Sequence, residues 1–340
     1  MDRPLIALLS LMLLAMPLTG CGNHVVIQEP GPGAAAASLE SFHVIANDGY
    51  RLPLRHWSAK GTRRAVVLAV HGFNDHGGSF EILADSLTEH GIEVYAHDQR
   101  GFGTTAQRRL WPGEDRLTGD VATIARLLRE RYPQTPLYLV GKSMGAAVVM
   151  LTMAGDDQPP VDGSVLISPA IWGRSAMPWY HRLGLWLGVR LIPSTTFSAR
   201  MTQRLGIEPT DDPEIKRRLA EDPLILRSAR VDTVYALTGM MDNALRAASR
   251  LTGPALILYG GEDQVIPPQA ICIMLERLTD AKTTPWRMVF YPAGYHMLTR
   301  YTGRDQTHAD IASWLLDPEA PLPSHHEVTP VEARRRLCNP

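Results

Sequence analysis

Leu137-Tyr138-Leu139-Val140-Gly141-Lys142-Ser143-Met144-Gly145-Ala146-Ala147-Val148-Val149-Met150 decides how the chain is read. Leu137 to Val140 is a short apolar run with the look of a buried strand, and Ala146 to Ala154 is an apolar helical pattern. Between them stands G-x-S-x-G, and in a strand–turn–helix setting this pattern places a serine on a sharp, strained turn. Flanking side chains would clash with neighbouring backbone there, so the pattern needs glycine. The turn lifts the Ser143 hydroxyl clear of the sheet. The helix N-terminus beneath it favours negative charge on a nearby oxygen.

Working outward, short runs rich in Val, Ile, Leu and Tyr alternate with helical patterns. Ser41 to Ala46 and Leu52 to Trp57 flank Asn47-Asp48-Gly49 and read as a hairpin. Ala65 to Val70, Glu93 to His97, Val165 to Ile167, Ala255 to Tyr259 and Met288 to Tyr291 read as further strands. Helical patterns fall at Ser79 to His90, Leu117 to Arg131 and Pro268 to Leu278. Such alternation predicts a mostly parallel sheet with helices on both faces. From Ile171 to about Arg250 the alternation stops, and proline-broken amphipathic patterns predict a helical insertion. The tail from 318 to 340 lacks periodicity and is expected to be loosely ordered.

A serine hydroxyl is a poor nucleophile and needs a base oriented by a third group. In this setting the acid and then the histidine follow the serine in the chain. Tyr259-Gly260-Gly261-Glu262-Asp263 starts at a strand end and offers Asp263, with Glu262 as its competitor. Tyr291-Pro292-Ala293-Gly294-Tyr295-His296 does the same for His296. An oxyanion would need two backbone N–H donors, assigned to Met144 and to Phe73 in the loop His71-Gly72-Phe73-Asn74-Asp75-His76-Gly77-Gly78. His71 reads as a structural hydrogen-bonding residue. Asp75 and His76 read either as pocket residues or as loop polar groups.

These pieces, with Asp98-Gln99-Arg100-Gly101-Phe102-Gly103 and Gln264-Val265-Ile266-Pro267, resemble the monoacylglycerol lipase and lysophospholipase branch of the α/β hydrolases, also grouped with serine aminopeptidases. The resemblance spans about Ser41 to Leu316. It implies an α/β-hydrolase domain over 39–317, an eight-stranded sheet, and a cap at about 171–250 covering an apolar acyl site. Trp172, Trp179 and His76 are then the candidate substrate-binding residues. The implied activity is hydrolysis of single-chain lipid esters through an acyl-enzyme, without metal or cofactor. An aminopeptidase, amidase or acyltransferase would use the same triad, and a binding module on this fold would use none of it. An aminopeptidase needs a carboxylate for the free amine, which Asp211, Asp212 or Glu214 could supply. Phe102 and Thr104 depart from the family, which usually has His and Ser there.

The first twenty residues read as a signal peptide. Leu5 to Met16 is a nearly unbroken apolar run of about a dozen residues, short of the roughly 20 that span a membrane. It leads to Leu18-Thr19-Gly20-Cys21, which resembles a bacterial lipobox with Cys21 as the acylated residue. Residues 21–38, rich in Gly, Pro and Ala, read as a flexible linker. The expected location is the periplasmic side of the envelope, held by a lipid anchor; Gly22 after the Cys favours the outer membrane by family analogy. Cys272 and Cys338 either pair, as an exported protein permits, or stay free. The 34 basic and 35 acidic residues balance, so no basic field points to nucleic acid. The sequence carries no signal for an oligomeric state.

Overall fold

The computed structural model describes residues 25–198, 206–280 and 285–338. The signal segment and Cys21 lie outside these residues. In chain order the strands are β1 (Ser38–Leu39), β2 (His43–Ile45), β3 (Arg51–Trp57), β4 (Ala65–Val70), β5 (Ile92–His97), β6 (Leu137–Lys142), β7 (Gly163–Ile167), β8 (Thr196–Ser198), β9 (Ser228–Arg230), β10 (Ala255–Gly260), β11 (Trp286–Tyr291) and β12 (Glu327–Val328). The helices are α1 (Glu81–Glu89), α2 (Glu114–Arg131), α3 (Met144–Ala154), α4 (Trp179–Leu191), α5 (Pro213–Glu221), α6 (Val231–Ala247), α7 (Pro268–Asp280), α8 (Arg304–Leu316) and α9 (Pro330–Leu337).

The main sheet runs β1-β2-β3-β5-β4-β6-β7-β10-β11-β12. Every pair from β5 to β11 is parallel, with antiparallel strands at both edges. Strands β4 to β7 and β10 are buried along their whole length, which is why they read as continuous apolar runs. The chain leaves β4 toward β5 on one side and returns to β6 on the other. This reversal opens a crevice at the carboxyl ends of β4 and β6, where α/β sheets bind ligands. Both the 71–78 loop and Ser143 emerge there. Helix α3 carries no charged side chain and is buried on nearly every face, lodged between α2, the sheet and α6. The architecture is the α/β-hydrolase fold.

Four details differ from the sequence reading. The sheet has ten strands rather than eight, because β1 and β12, two residues each, extend its edges. The cap holds a short antiparallel ribbon, β8 with β9, too short to show a period of two. The residues described from 25 to 38 do not form a loose linker. Gln28 is buried, receives the Arg116 guanidinium on its carbonyl, and bonds Trp111, Gln107 and Leu110. The amide of Gly31 donates to Asp48. The tail is not loose either. Thr329 caps α9, Ala333 and Leu337 are buried, and Cys338 is bonded to Cys272 on α7. One buried side chain every few residues is enough to hold such segments, and it leaves no periodicity to read.

The disulfide closes a separation of 66 residues, for which the chain-entropy account gives about 4 kcal/mol. Replacing both cysteines by serine is therefore expected to lower Tm by several degrees in thermal unfolding. An unchanged Tm would mean that α9 is held by packing alone.

Candidate active site

The site begins with an unusual backbone. Ser143 has φ 52° and ψ −120°, a region a non-glycine residue enters at a cost of about 1–3 kcal/mol. The turn is locked: Ser143 N donates to Ile167 O at 2.9 Å, and Ser143 O accepts from Ala146 and Ala170. A Cβ on Gly145 would stand 2.0 Å from Val70 O, so only glycine lets the elbow settle against the end of β4.

Around this turn the predicted residues converge. His296 Nε2 lies 3.0 Å from Ser143 Oγ, and His296 Nδ1 lies 2.8 Å from Asp263 Oδ2. Asp263 is fixed independently, since its Oδ1 accepts from the amides of Val265 and Ile266 at 2.8 and 2.9 Å. Such a carboxylate holds Nδ1–H and leaves the Nε2 lone pair facing the serine, the arrangement a general base requires. Glu262, the competitor, is exposed; its amide donates to Gly294 O and ties the acid loop to the histidine loop.

The 71–78 loop passes directly over the serine. A Cβ on Gly72 would lie 3.3 Å from Ser143 Cβ, so the following residue, Phe73, enters beside the nucleophile. Met144 is the first residue of α3, where helical N–H groups lack intrahelical acceptors. His71 is structural: its Nε2 accepts from Gln99 N, its Nδ1 donates to Gly72 O, and burial pushes it down to about 4.

Asp75 and His76 brace the site rather than line it. His76 Nδ1 accepts from Gly78 N while Nε2 meets Asp222 of the cap at 2.9 Å. The cap is also pinned by Leu226 N to Asn74 O and by Met297 N to Pro209 O. Asp75 Oδ2 takes Arg300 at 2.6 Å and Lys142 at 3.0 Å, and all three are buried. One carboxylate thus joins the oxyanion-side loop, the residue before the nucleophile and the loop after His296. Burial would raise the Asp75 carboxyl, but Arg300 and Lys142 outweigh it and hold the group well below the usual carboxylate range. Burial and then the Arg300 charge push Lys142 down to about 7, with Asp75 opposing. Sequence reasoning missed this hub. Asp75 had a signal in its loop, whereas Lys142 occupies a variable position of the motif and Arg300 lies beyond it.

Of the cap candidates, Trp172 packs partly buried against the core, in a T-shaped contact with His181. Trp179 is 67% exposed and stands on the solvent side of α4. The acids considered for an amine-binding role are committed elsewhere. Asp211 accepts from the amide and hydroxyl of Thr302. Asp212 caps α5 and pairs with Arg304, and Glu214 pairs with Arg217 and Arg218.

A strained serine elbow, a histidine and a buried aspartate at the carboxyl edge of a parallel sheet define the serine-hydrolase class of the α/β-hydrolase fold. Residues 61–301 match the family described as serine aminopeptidase, S33 (Hydrolase_4), and the chain belongs to that family. It is 28% identical over 264 residues to human monoglyceride lipase, covering 75% of this chain and 83% of that one. To monoacylglycerol lipase of Mycolicibacterium smegmatis it is 25% identical over 287 residues, covering 82% and 98%. Among solved structures it is similar to a soluble variant of Saccharomyces cerevisiae monoglyceride lipase in complex with a substrate analogue. That likeness has a TM-score of 0.66 at 20% identity over 86% of this chain and all of the other. A second is Paleococcus ferrophilus monoacylglycerol lipase, with a TM-score of 0.61 at 23% identity over 78% and 98%. At these identities the two structures bear on fold alone.

The hub makes two opposed predictions. Asp75→Asn leaves two buried cations without a counter-charge and is expected to cost about 3–5 kcal/mol, read as a fall in Tm. For Lys142 the native pKa is about 7 against 10.5 for the free side chain, so between those values the unfolded chain holds a proton that the native chain lacks. Stability from this group therefore rises with pH across that window. Thermal unfolding followed through the window should show the rise, and Lys142→Met should remove it; a slope that survives the substitution would contradict the assignment.

Proposed function

We propose that this protein hydrolyses carboxylic esters of single-chain lipids, a monoacylglycerol or lysophospholipid, through an acyl-enzyme on Ser143. The observation that carries this reading is the unbroken hydrogen-bonded chain from Asp263 through His296 to Ser143 on a strained elbow beneath the cap. His296 Nε2 takes the serine proton as Oγ attacks the ester carbonyl, and Asp263 stabilises the imidazolium formed. The N–H groups of Phe73 and Met144 hold the oxyanion, a role worth about 10²–10³ in kcat per donor. Collapse expels the alcohol, which takes its proton from His296. Water, deprotonated by the same histidine, then attacks the acyl-enzyme and releases the fatty acid.

The monoglyceride lipase relatives support the ester and lipid part of the reading. The aminopeptidase alternative has less support, because Asp211, Asp212 and Glu214 are each held by other groups. We place the protein on the periplasmic side of the envelope, anchored through an acylated Cys21. The Cys272–Cys338 disulfide suits that oxidising compartment.

The test is a panel of monoacylglycerols, lysophosphatidylcholine, p-nitrophenyl esters of rising chain length and aminoacyl anilides. The expected result is turnover of long single-chain esters, abolished in Ser143→Ala. Asp263→Asn should leave a folded protein with kcat lowered by about 10⁴. Preference for anilides would move the assignment to a peptidase, and no turnover at all would favour a binding module.

A further inference from the structure

The cap is fastened at the point where it leaves the core. After β7 the chain runs Ser168-Pro169-Ala170-Ile171-Trp172-Gly173 into a single turn of 3-10 helix, Arg174–Ala176, ahead of α4. Asp242 of α6 holds that turn. It is buried, and its Oδ1 accepts from Ser175 N at 2.9 Å and from Ser175 Oγ at 2.6 Å. Hydrogen bonds to an ionised carboxylate are roughly twice as strong as neutral ones. Arg174 supplies the counter-charge: its Nε lies 3.8 Å from Asp242 Oδ2, and its guanidinium lies over the Tyr235 ring at 4.3 Å.

The sequence is shaped to this contact from both sides. Tyr235, Gly239 and Asp242 follow one another at four and three residues, so they share one face of α6. A Cβ on Gly239 would stand 2.7 Å from Arg174 Nη2, and one on Gly173 would stand 2.3 Å from Asp242 Oδ1. Glycine at both positions lets helix and turn close on each other. Inside a helix that choice costs about 0.5–1 kcal/mol relative to alanine, so the clamp is maintained against propensity. The triad contacts are complete without it. What the clamp fixes is Trp172. Ala170 N donates to Ser143 O at 3.1 Å, and Trp172 follows two residues later. Its Cα is therefore within about 7.6 Å of the Ala170 Cα. The indole packs partly buried on the core cluster that Phe73 of the 71–78 loop also joins, so each keeps some surface uncovered near the nucleophile. Helix α6 in turn lies along α3, the helix that starts at the nucleophile, with Met240, Ala244 and Leu245 buried. The indole is thus registered against the serine twice, through the chain from Ala170 and through Asp242, α6 and α3.

We infer that Asp242 is a positioning residue for acyl selection: through Ser175 it holds the Trp172 indole as a fixed wall beside Ser143, and that wall limits the length of acyl chain the site accepts. This inference rests on the ester-hydrolase reading above. A wall discriminates only where its supporting residues lock it in place, because a ring free to swing aside admits the longer chain. The peptide of Ser175 is three residues past the indole, close enough for its anchorage to deny Trp172 that freedom.

The experiment measures kcat and KM of the full chain for p-nitrophenyl esters from butyrate to laurate. Trp172→Ala is expected to raise kcat/KM for laurate relative to butyrate by about tenfold or more, the scale on which a pocket senses a single methylene. Asp242→Ala should move the same ratio in the same direction, through KM rather than kcat. Asp242→Asn, which keeps an Oδ1 acceptor for Ser175, should restore it. Ser175→Ala removes only the hydroxyl of an exposed residue, and it serves as the second variant where Asp242→Ala does not fold. In the Trp172→Ala background Asp242→Ala should add nothing, since the wall it holds is gone. A ratio that neither Trp172→Ala nor Asp242→Ala moves overturns the inference, as does an Asp242→Ala shift of equal size with and without Trp172. Absence of ester turnover in the native protein would overturn the ester-hydrolase reading itself, and the inference with it.

Discussion

The left-handed turn at Ser143 is the constraint on which the rest depends. It costs about 1–3 kcal/mol and lasts only because its surroundings over-determine it. On one side β6 is paired to parallel strands on both edges. On the other, α3 buries two valines and three methionines almost completely, each worth about 1.5–3 kcal/mol, so helix burial exceeds the strain several-fold. The apolar character of α3 is thus what allows a strained turn that holds the half-buried Ser143 hydroxyl against His296. The topological reversal between β4 and β6 then brings the 71–78 loop over that hydroxyl.

A second layer of order comes from Asp75. Four loops carry the chemistry, and each is an irregular segment at the sheet edge. The hydrogen bonds that Asp75 accepts from Lys142 and Arg300 join three of them, all but the acid loop, beneath the surface. Two cations share one carboxylate in a dry site, which is why the lysine, the more easily neutralised of the pair, gives way. Cap and core are bound at the same places, through His76 with Asp222 and Pro209 with Met297. The cap is therefore held to the same loops that frame the triad.

Much of this was legible in the sequence because the legible features are local. The glycine pattern around Ser143, the alternation of apolar runs and helical patterns, and the strand-end positions of Asp263 and His296 each lie within about ten residues. The illegible features rest on single long-range contacts. Gln28 holds the strap, Cys338 and Leu337 hold the tail, and Arg300 reaches Asp75 across 225 residues. Trp179 was expected near the acyl site because aromatic composition does not say which face of a helix is buried; α4 turns that face outward.

The central claim is that Ser143 alone is the activated nucleophile. Treatment of the protein with a fluorophosphonate, followed by peptide mass mapping, tests it most directly. The account predicts one adduct, on Ser143, formed rapidly at neutral pH and greatly slowed in His296→Ala. An adduct on another residue, or labelling of Ser143 that does not depend on His296, would contradict it.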